Sequence, residues 1–341
     1  MTYGTFAAAT DGSLYPERDR LKRDFSAIHE AGFTVVRTYT EPPARVLEAA
    51  ADWDLQLLVG LHFEDWRYQV GTSSRERYRM QRAARRQTAE AARRLVGCEQ
   101  VLGICVANEV PADVIRWLGT RVVAGGLRDL VRAVHDADAA QLATYANYPT
   151  AEYMAVPEVD FVSFNVFLED PAAFRRYLTR LQHLSGDVPL VLTEVGAPSD
   201  PSPAGRRRQA EMIDWQMATA IERGVAGTCL FSWTDDWSVA GESQEHWGFG
   251  LTTADRRPKP ALAVASGWNA RTVADLEREW PSLSIAVCAY NASATLDECL
   301  RHTCALEYPG LEILVVDDGS TDDTAAIARR HPRARLVQIE H

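Results

Sequence analysis

The stretches VLGICVANE (residues 101–109) and PLVLTEVG (residues 189–196) decide the expected fold of this chain. In each stretch a short apolar run ends in a carboxylate, Glu109 in the first and Glu194 in the second. Short apolar runs of this kind are typical of buried parallel strands. A carboxylate directly after such a run lies at the carboxyl end of its strand, where parallel sheets gather their functional side chains.

Similar apolar runs alternate with amphipathic helical stretches from the start of the chain to about residue 270. The other predicted strands are YGTF (3–6), TVVRTY (34–39), LQLLVGLHF (55–63), LATYANY (142–148), FVSFNVF (161–167) and GTCLFSW (227–233). The predicted helices include residues 17–31 and 75–97. Strands that alternate with helices indicate a parallel sheet, and eight such units match the size of a (β/α)₈ TIM barrel.

An open doubly wound sheet is the rival architecture, and polar residues at the strand ends distinguish the two. They fall at or near the ends of different strands: Arg37, His62, Asn108, Glu109, Asn165, Glu194 and Trp233. A barrel makes these ends converge on one site, whereas an open sheet spreads them along an edge. The sequence therefore favours a TIM barrel over residues 1–270, with one site at its carboxyl-terminal mouth.

A second α/β unit follows a predicted linker at residues 271–283. SIAVCAYN (284–291) and EILVVDD (312–318) are predicted strands separated by a helix, and GSTDDT caps a further helix. A helical stretch at 261–279 leads towards this unit. Residues 284–341 are therefore predicted to form an incomplete, Rossmann-like α/β fragment.

The net charge, the apolar stretches and the cysteine spacing argue against several classes of binding partner. The formal net charge of −11 argues against nucleic acid, because a polyanion would be repelled. No stretch approaches the ~20 apolar residues of a bilayer span, and the amino terminus lacks a basic segment followed by an apolar core. The six cysteines show no metal-site spacing. We expect a cytoplasmic protein without membrane contact of its own, whose oligomeric state the sequence leaves open.

Glu109 and Glu194 form the carboxylate pair from which we infer the reaction. Double displacement at a glycosidic bond needs one carboxyl group that donates a proton and a second that attacks the anomeric carbon. Asn108–Glu109 and Glu194 resemble clan A of the glycoside hydrolases, in which acid/base and nucleophile follow the fourth and seventh strands. FSWTDDW (231–237) and WGFGLTTADRRPKPA (247–261) resemble the closing segment of family 2 barrels. The resemblance implies a retaining glycosidase or transglycosylase that acts on a β-linked oligo- or polysaccharide without a cofactor.

The same resemblance implies roles for the neighbouring residues. Asn108 would hydrogen-bond the sugar 2-hydroxyl, and Arg37 would hold Glu194 ionised, because a nearby cation lowers the pKa of a carboxyl group. His62 would bind a sugar hydroxyl, with a satisfied core histidine as the alternative. Trp233 would be the platform on which the sugar ring stacks, with a buried aromatic as the alternative.

The sixth strand departs from the family pattern. Clan A barrels often carry Asn-x-Tyr there, with the tyrosine hydroxyl on the nucleophile, but this chain has Asn165 followed by Phe167 in the tyrosine's place. Asn165 stays among the expected substrate-binding residues. Tyr145 or Tyr148 on the preceding strand is the expected source of the missing hydroxyl, and Tyr145 joins the substrate-binding set.

SIAVCAYN and ILVVDDGSTDDT resemble the first strand and the nucleotide-facing motif of glycosyltransferase family 2, with its GT-A-like fold. The resemblance implies that Asp317 and Asp318 contact the donor nucleotide. It also implies that a complete domain needs a divalent metal and a nucleotide sugar. Residues for the later acidic motif and the catalytic base are absent up to His341, so we expect this fragment alone to be inactive.

Two functional hypotheses remain. The first is a retaining glycoside hydrolase or transglycosylase in polysaccharide biosynthesis or remodelling. The second is a catalytically weak barrel that binds a polysaccharide beside a family 2 synthase. The intact glutamate pair favours the first, and Phe167 favours the second. The sequence does not specify the sugar, the linkage, or whether cleavage is exo or endo.

Overall fold

The computed structural model of the chain describes residues 1–9, 11–61, 66–271, 282–306, 308 and 310–340. Its contacts divide it into two compact units, Met1–Ala270 and Arg271–His341. Each unit has a hydrophobic core of its own.

Seven parallel strands in sequence order form the sheet of the first unit. They are β1 (Val35–Arg37), β2 (Gln56–Gly60), β3 (Val101–Asn108), β4 (Leu142–Asn147), β5 (Val162–Val166), β6 (Leu190–Val195) and β7 (Gly227–Leu230). Each lies within a predicted run, because apolar side chains on both faces of a parallel strand are buried. With the helices between them, the strands confirm the predicted TIM barrel.

The amino-terminal residues bridge the first and last of these strands. The backbone N–H of Thr2 donates to the carbonyl of Leu230, and that of Tyr3 donates to the carbonyl of Arg37, both at 2.9 Å. Residues 1–3 therefore fill the first strand position, two residues earlier than the predicted YGTF. Gly4 ends this extended segment with a φ of +84°, a conformation that glycine adopts at little cost.

Helices cover the outside of the barrel. They are α1 (Arg18–Glu30), α2 (Ala44–Asp52), α3 (Ser74–Leu95), α4 (Ala112–Leu118), α5 (Thr120–His135), α6 (Pro171–Ser185), α7 (Pro203–Glu222) and α8 (Pro260–Asn269), and a short hairpin of β8 (Ser238–Val239) and β9 (Glu242–Ser243) follows β7. The helix predicted at 261–279 ends at Asn269, and residues 272–281 lie outside the described part. Within the described ranges, no helix has both the length and the apolar character needed to traverse a bilayer.

A buried ion pair anchors the segment that follows β7. The Nζ of Lys259 is buried and donates to Asp235 Oδ1 at 2.8 Å, to Ser199 Oγ at 3.1 Å and to the carbonyl of Gly248 at 3.1 Å. The motif RRPKP (256–260) thus supplies a cation that ties three loop segments together. A buried pair of this kind is costly to break, because the remaining charge is left without a partner.

We therefore expect Lys259→Met to lower the free energy of unfolding by about 3 kcal/mol. The double variant with Asp235→Asn should recover much of that loss, because no charge then stays buried alone. Urea denaturation of the single and double variants measures both values. A double variant less stable than Lys259→Met would contradict the assignment.

The second unit is a small parallel α/β unit. Its elements are β10 (Leu283–Ala289), α9 (Leu296–Cys304), β11 (Leu311–Asp318), α10 (Thr324–Arg329) and β12 (Ala334–Ile339), with the strands in that order across the sheet. The core lies between helices and sheet and includes Leu300, Ile313, Val315 and Ile327. The predicted α/β fragment is confirmed, and β12 is a strand that the sequence reading did not identify.

Candidate active site

The polar side chains at four strand ends meet through direct hydrogen bonds. Arg37 at the end of β1 donates from Nη2 to Asn108 Oδ1 at 2.6 Å, across to the end of β3. Its Nη1 donates to Glu194 Oε1 on β6 at 2.8 Å and to Asn165 Oδ1 on β5 at 3.2 Å. These contacts bring together four of the predicted site residues, as converging barrel strands do.

Asn165 bridges the two glutamates. Its Nδ2 lies 2.9 Å from Glu109 Oε1 and 2.9 Å from Glu194 Oε1. Since both oxygens lie 2.9 Å from one nitrogen, their separation cannot exceed 2 × 2.9 Å, or 5.8 Å. The carboxyl groups of Glu109 and Glu194 therefore lie close together, with one oxygen of each at the same amide nitrogen.

The side-chain oxygen and nitrogen of Asn165 both form hydrogen bonds within the protein. The residue is buried, and its Oδ1 accepts from Arg37 Nη1 and from Thr193 Oγ1 at 2.9 Å. Its amide nitrogen faces Asn108 Oδ1 at 3.0 Å in addition to the two carboxylates. The structure therefore places Asn165 where it orients the carboxylates, beneath the surface that a substrate would touch.

Arg37 is the buried cation of the site. It is 1% exposed, and Nη1 also donates to the carbonyl of Thr193 at 2.6 Å. A guanidinium is suited to such a position because its fork of donors binds several acceptors in fixed directions. Its charge is balanced by Glu194, which is itself buried. Arg37 therefore fixes the orientation of Glu194 rather than forming a surface ion pair.

Burial raises the pKa of Glu194 to about 7, with a smaller contribution from the charge of Glu109. Arg37 and a hydrogen bond from Tyr39 act in the opposite direction but do not cancel the cost of burying the charge. As expected, Arg37 lowers the pKa of Glu194. Its effect is smaller than the effect of burial, so the pKa stays above the ordinary value for a glutamate. Glu194 titrates near neutral pH.

Tyr39 is a site residue that the sequence reading missed. Its hydroxyl donates to Glu194 Oε1 at 2.9 Å, and its ring lies under Arg37, whose Cζ is 4.8 Å from the ring centroid. Tyr39 lies two residues beyond Arg37, after β1 has ended. The predicted run TVVRTY (34–39) therefore includes it without indicating that its hydroxyl reaches Glu194.

The two tyrosines expected in this role do something else. The hydroxyl of Tyr145 accepts from the backbone N–H of Val110 at 2.9 Å, and that of Tyr148 accepts from Ala112 at 2.8 Å. Both contacts hold the segment after Glu109, whose φ of +48° is uncommon for a residue with a side chain. Tyr145 is buried, so it supports Glu109 from below instead of lining the site.

Trp233 does not occupy the predicted stacking position. The side chain is 2% exposed and belongs to the hydrophobic core, so its ring offers no free face to a sugar. A cluster of other aromatic rings lies nearby: Phe231 packs against Trp237 at 4.7 Å and against Phe167 at 5.8 Å between centroids. Trp237 also meets Tyr39 at 5.4 Å, which connects this cluster to the site.

Asn108 has a side-chain donor, Nδ2, that none of the described residues uses. Its Oδ1 accepts from Arg37 and Asn165, while its Nδ2 makes no hydrogen bond with any residue that the structure describes. The residue is exposed, so this nitrogen is available to a hydroxyl group of a ligand. His62, the other predicted hydroxyl-binding residue, lies outside the described residues.

The acidic pair of the second unit is partly engaged by the protein. Asp317 is buried at the end of β11, where Oδ1 accepts from the backbone N–H of Ser320 and Oδ2 from Gln338 Nε2, each at 3.1 Å. The hydrogen bond from Ser320 holds the pKa of Asp317 below its usual value. Asp318 follows it on the same strand. Over the described ranges, no three His, Cys, Asp or Glu side chains are placed to hold a metal ion.

Comparison with known proteins gives different matches for the two units. Residues 284–341 match the model of glycosyl transferase family 2. The β-monoglucosyldiacylglycerol synthase of Synechocystis sp. is 28% identical over 143 residues, 39% of this chain and 27% of that protein. The poly-β-1,6-N-acetyl-D-glucosamine synthase of Staphylococcus epidermidis is 42% identical over 45 residues, 13% of this chain and 11% of that protein. The chain thus spans about a quarter or less of these curated relatives.

Among solved structures, the β-glucuronidase of Ruminococcus gnavus matches with a TM-score of 0.65 and 17% identity. The match covers 78% of this chain and 49% of that one. At this identity the similarity shows a shared fold. The chain therefore joins a barrel that shares its fold with part of this β-glucuronidase to a segment that matches the model of glycosyl transferase family 2.

Proposed function

We propose that the barrel is a retaining glycoside hydrolase or transglycosylase that acts on a β-linked glycan. The observation that carries the proposal is the bridge of Asn165 between Glu109 and Glu194, which limits the separation of their nearest oxygens to 5.8 Å (2 × 2.9 Å). Retaining glycosidases hold their carboxyl groups about 5–5.5 Å apart, whereas inverting ones need about 6.5–9.5 Å to admit a water molecule.

The first step forms a glycosyl-enzyme. Glu194 attacks the anomeric carbon while Glu109 donates its proton to the glycosidic oxygen, and the bond to the leaving group breaks. Glu194 Oε1 already accepts from Arg37, Tyr39 and Asn165. Oε2 makes no hydrogen bond with the described residues, so Oε2 is the atom left to attack. In the second step Glu109 takes a proton from water or from a sugar hydroxyl, whose oxygen displaces Glu194 from the anomeric carbon.

Arg37, Tyr39 and Asn165 act as positioning residues. They fix the Glu194 carboxylate through one oxygen, so that no reorganisation is needed when the second oxygen attacks. Asn108 would offer its free Nδ2 to the sugar 2-hydroxyl, a contact that strengthens as positive charge develops on the sugar ring. Phe167 favoured a binding-only barrel because it has no hydroxyl to offer the nucleophile. Tyr39 offers a hydroxyl to Glu194, so that reason no longer applies.

The second unit supports a place in polysaccharide synthesis or remodelling. Residues 284–341 match a glycosyl transferase family, and one relative is named as a synthase of a β-linked polysaccharide. We propose the organisation inferred from the sequence: a barrel at 1–270, a linker at 271–283 and a transferase-like fragment at 284–341. Asp317 and Asp318 would face the donor nucleotide when the remainder of such a domain completes the site.

The stereochemical course of the reaction tests the proposal. Wild-type protein is incubated with a panel of β-configured aryl glycosides, and the anomeric proton of the first product is followed by NMR. The proposal requires the β-anomer to appear first and the α-anomer to grow later by mutarotation. Initial formation of the α-anomer would contradict it, and binding without turnover across the panel would favour the binding-only barrel.

The pKa of Glu194 sets the pH dependence. Because the nucleophile must be ionised, the acidic limb of the kcat/KM profile should follow the pKa of Glu194 in the free protein, about 7. Tyr39→Phe removes a hydrogen bond that lowers this pKa, so its acidic limb should move to higher pH. Glu109→Gln removes the Coulombic contribution that raises the pKa of Glu194, so with a dinitrophenyl glycoside, which needs no proton donor, its limb should move to lower pH.

The pH profiles of kcat/KM for the three proteins check these directions. Tyr78→Phe is a matched control, because it removes the hydroxyl of an exposed tyrosine on α3. An acidic limb that Tyr39→Phe leaves in place would exclude the proposed contact of Tyr39 with the nucleophile.

A further inference from the structure

Three exposed aromatic side chains stand on successive loops of the barrel. Tyr68 is 64% exposed after β2, Trp117 is 72% exposed after β3, and Tyr153 is 50% exposed after β4. Large aromatic side chains are usually mostly buried, and grouped exposed ones mark interaction sites. The loops after parallel barrel strands surround the active-site mouth, so all three belong to its rim.

Helix α4 contacts both of the other two loops. The short helix at Trp66–Gln69, which carries Tyr68, packs against α4. On the other side, the hydroxyl of Tyr153 donates to the carbonyl of Ala112 in α4 at 3.4 Å. We call the surface formed by Tyr68, Trp117 and Tyr153 the aromatic rim.

Trp117 is not needed to hold α4 in place. The inward face of this helix is apolar and buried, and it consists of Ala112, Val114, Ile115 and Leu118. Trp117 lies on the outward face, next to the exposed Arg116. Its ring therefore exposes apolar surface to water and contributes nothing to the hydrophobic core. This pattern is typical of a side chain that takes part in binding.

The aromatic rim begins beside Glu109. The first residue of α4 follows Glu109 by three positions, and Trp117 lies five residues further along the helix. With at most about 3.6 Å per extended residue and about 1.5 Å per helical residue, Trp117 lies within about 18 Å of Glu109. Glu109 is the proton donor of the proposed function, so a glycan chain of several sugars that extends from the leaving-group side would reach this surface.

We propose that the aromatic rim binds the leaving-group side of a long glycan chain, so that the substrate is a polysaccharide rather than a disaccharide. This inference rests on the proposed function of the barrel. A pyranose ring presents C–H groups on its faces and hydroxyls at its edge. Tyrosine and tryptophan match it, because each has an apolar ring face and a polar group at its margin. Successive sugar rings of a β-linked chain would contact successive aromatic side chains.

The test compares Trp117→Ala and a Tyr68→Ala/Trp117→Ala double variant with wild type on two substrates. One is an aryl glycoside of a single sugar, and the other is a soluble β-linked polysaccharide of the same sugar. We expect kcat/KM on the polymer to fall roughly tenfold for Trp117→Ala and further for the double variant. The value on the aryl glycoside should stay unchanged, and Tyr290→Ala, an exposed aromatic of the second unit, is the matched control.

Equal losses on both substrates, or no loss on the polymer, would overturn the aromatic rim as a glycan site. Affinity electrophoresis keeps the test independent of catalysis. The same variants are run in gels that contain barley β-glucan, laminarin or poly-N-acetylglucosamine. Retardation of wild type and of Glu194→Gln, but not of Trp117→Ala, supports the proposal even if the barrel proves inactive. Equal mobility of wild type and Trp117→Ala in every gel overturns it.

Discussion

Glu194→Gln is expected to abolish turnover, with kcat lowered on the order of 10⁵-fold or more, the scale seen when an enzyme loses its nucleophile. The amide cannot form the glycosyl-enzyme, because its oxygen is a far weaker nucleophile than a carboxylate. The same change leaves the buried guanidinium of Arg37 without its counter-charge. Because burial raises the pKa of Glu194, the change also relieves the cost of burying a charge. The free energy of unfolding should therefore fall by less than the loss of about 3 kcal/mol that is typical of breaking a buried pair.

The two effects of this change can be separated. Glu194→Asp keeps the charge beside Arg37 and withdraws the attacking oxygen by one methylene group. It should stay close to wild type in urea denaturation and still lose most of its activity, because small errors in position are costly. Activity of Glu194→Asp near that of wild type would show that Glu194 serves only to balance Arg37.

Glu109→Ala has the second largest expected effect, and its size depends on the leaving group. Sugar leaving groups need protonation as they depart, so kcat/KM should fall by roughly 10²–10⁴-fold. A dinitrophenyl leaving group needs no proton, so glycosylation of Glu194 should continue. Hydrolysis of the glycosyl-enzyme should then limit the rate, because Glu109 is also the base that activates water.

Two measurements check the Glu109 prediction. Pre-steady-state kinetics with the dinitrophenyl glycoside should show a burst, and added azide should restore turnover and give a β-glycosyl azide. Glu99→Ala is the matched control, an exposed glutamate just before the same strand. A loss of equal size for every leaving group, without an effect of azide, would contradict the acid/base role.

The architecture could be predicted because apolar runs define parallel strands. Both faces of a barrel strand are buried, so VLGICVAN (101–108) and LVLTEV (190–195) are recognisable without tertiary information. The first strand was placed two residues too late because Met1, Thr2 and Tyr3 form no apolar run. Their strand geometry comes from hydrogen bonds to β1 and β7, which local sequence does not encode. The strand β12 is largely half-buried or exposed, which weakens its pattern.

The site could be predicted where residues lie at strand ends. Arg37, Asn108 and Glu194 meet as expected, because strand position alone determines that they converge. Trp233 shows the limit of this reasoning. Just beyond the strand end, the backbone path decides whether a side chain faces the mouth or the core, and Trp233 faces the core.

The partners of buried groups were the other part that sequence could not supply. Nothing in the spacing of residues indicates that Tyr39 rather than Tyr145 reaches the nucleophile, because that choice depends on ring directions in the assembled barrel. The pKa of Glu194 depends likewise on the balance between burial and Arg37, which only the folded arrangement sets.

Covalent trapping shows directly whether Glu194 is the nucleophile. The protein is incubated with 2-deoxy-2-fluoro β-glycosides of several sugars, digested, and examined by mass spectrometry. We expect a glycosyl adduct on the peptide that contains Glu194, and its absence in Glu194→Gln. An adduct on another residue, or no adduct with a glycoside that the wild-type protein demonstrably turns over, would contradict the assignment of Glu194 as the nucleophile.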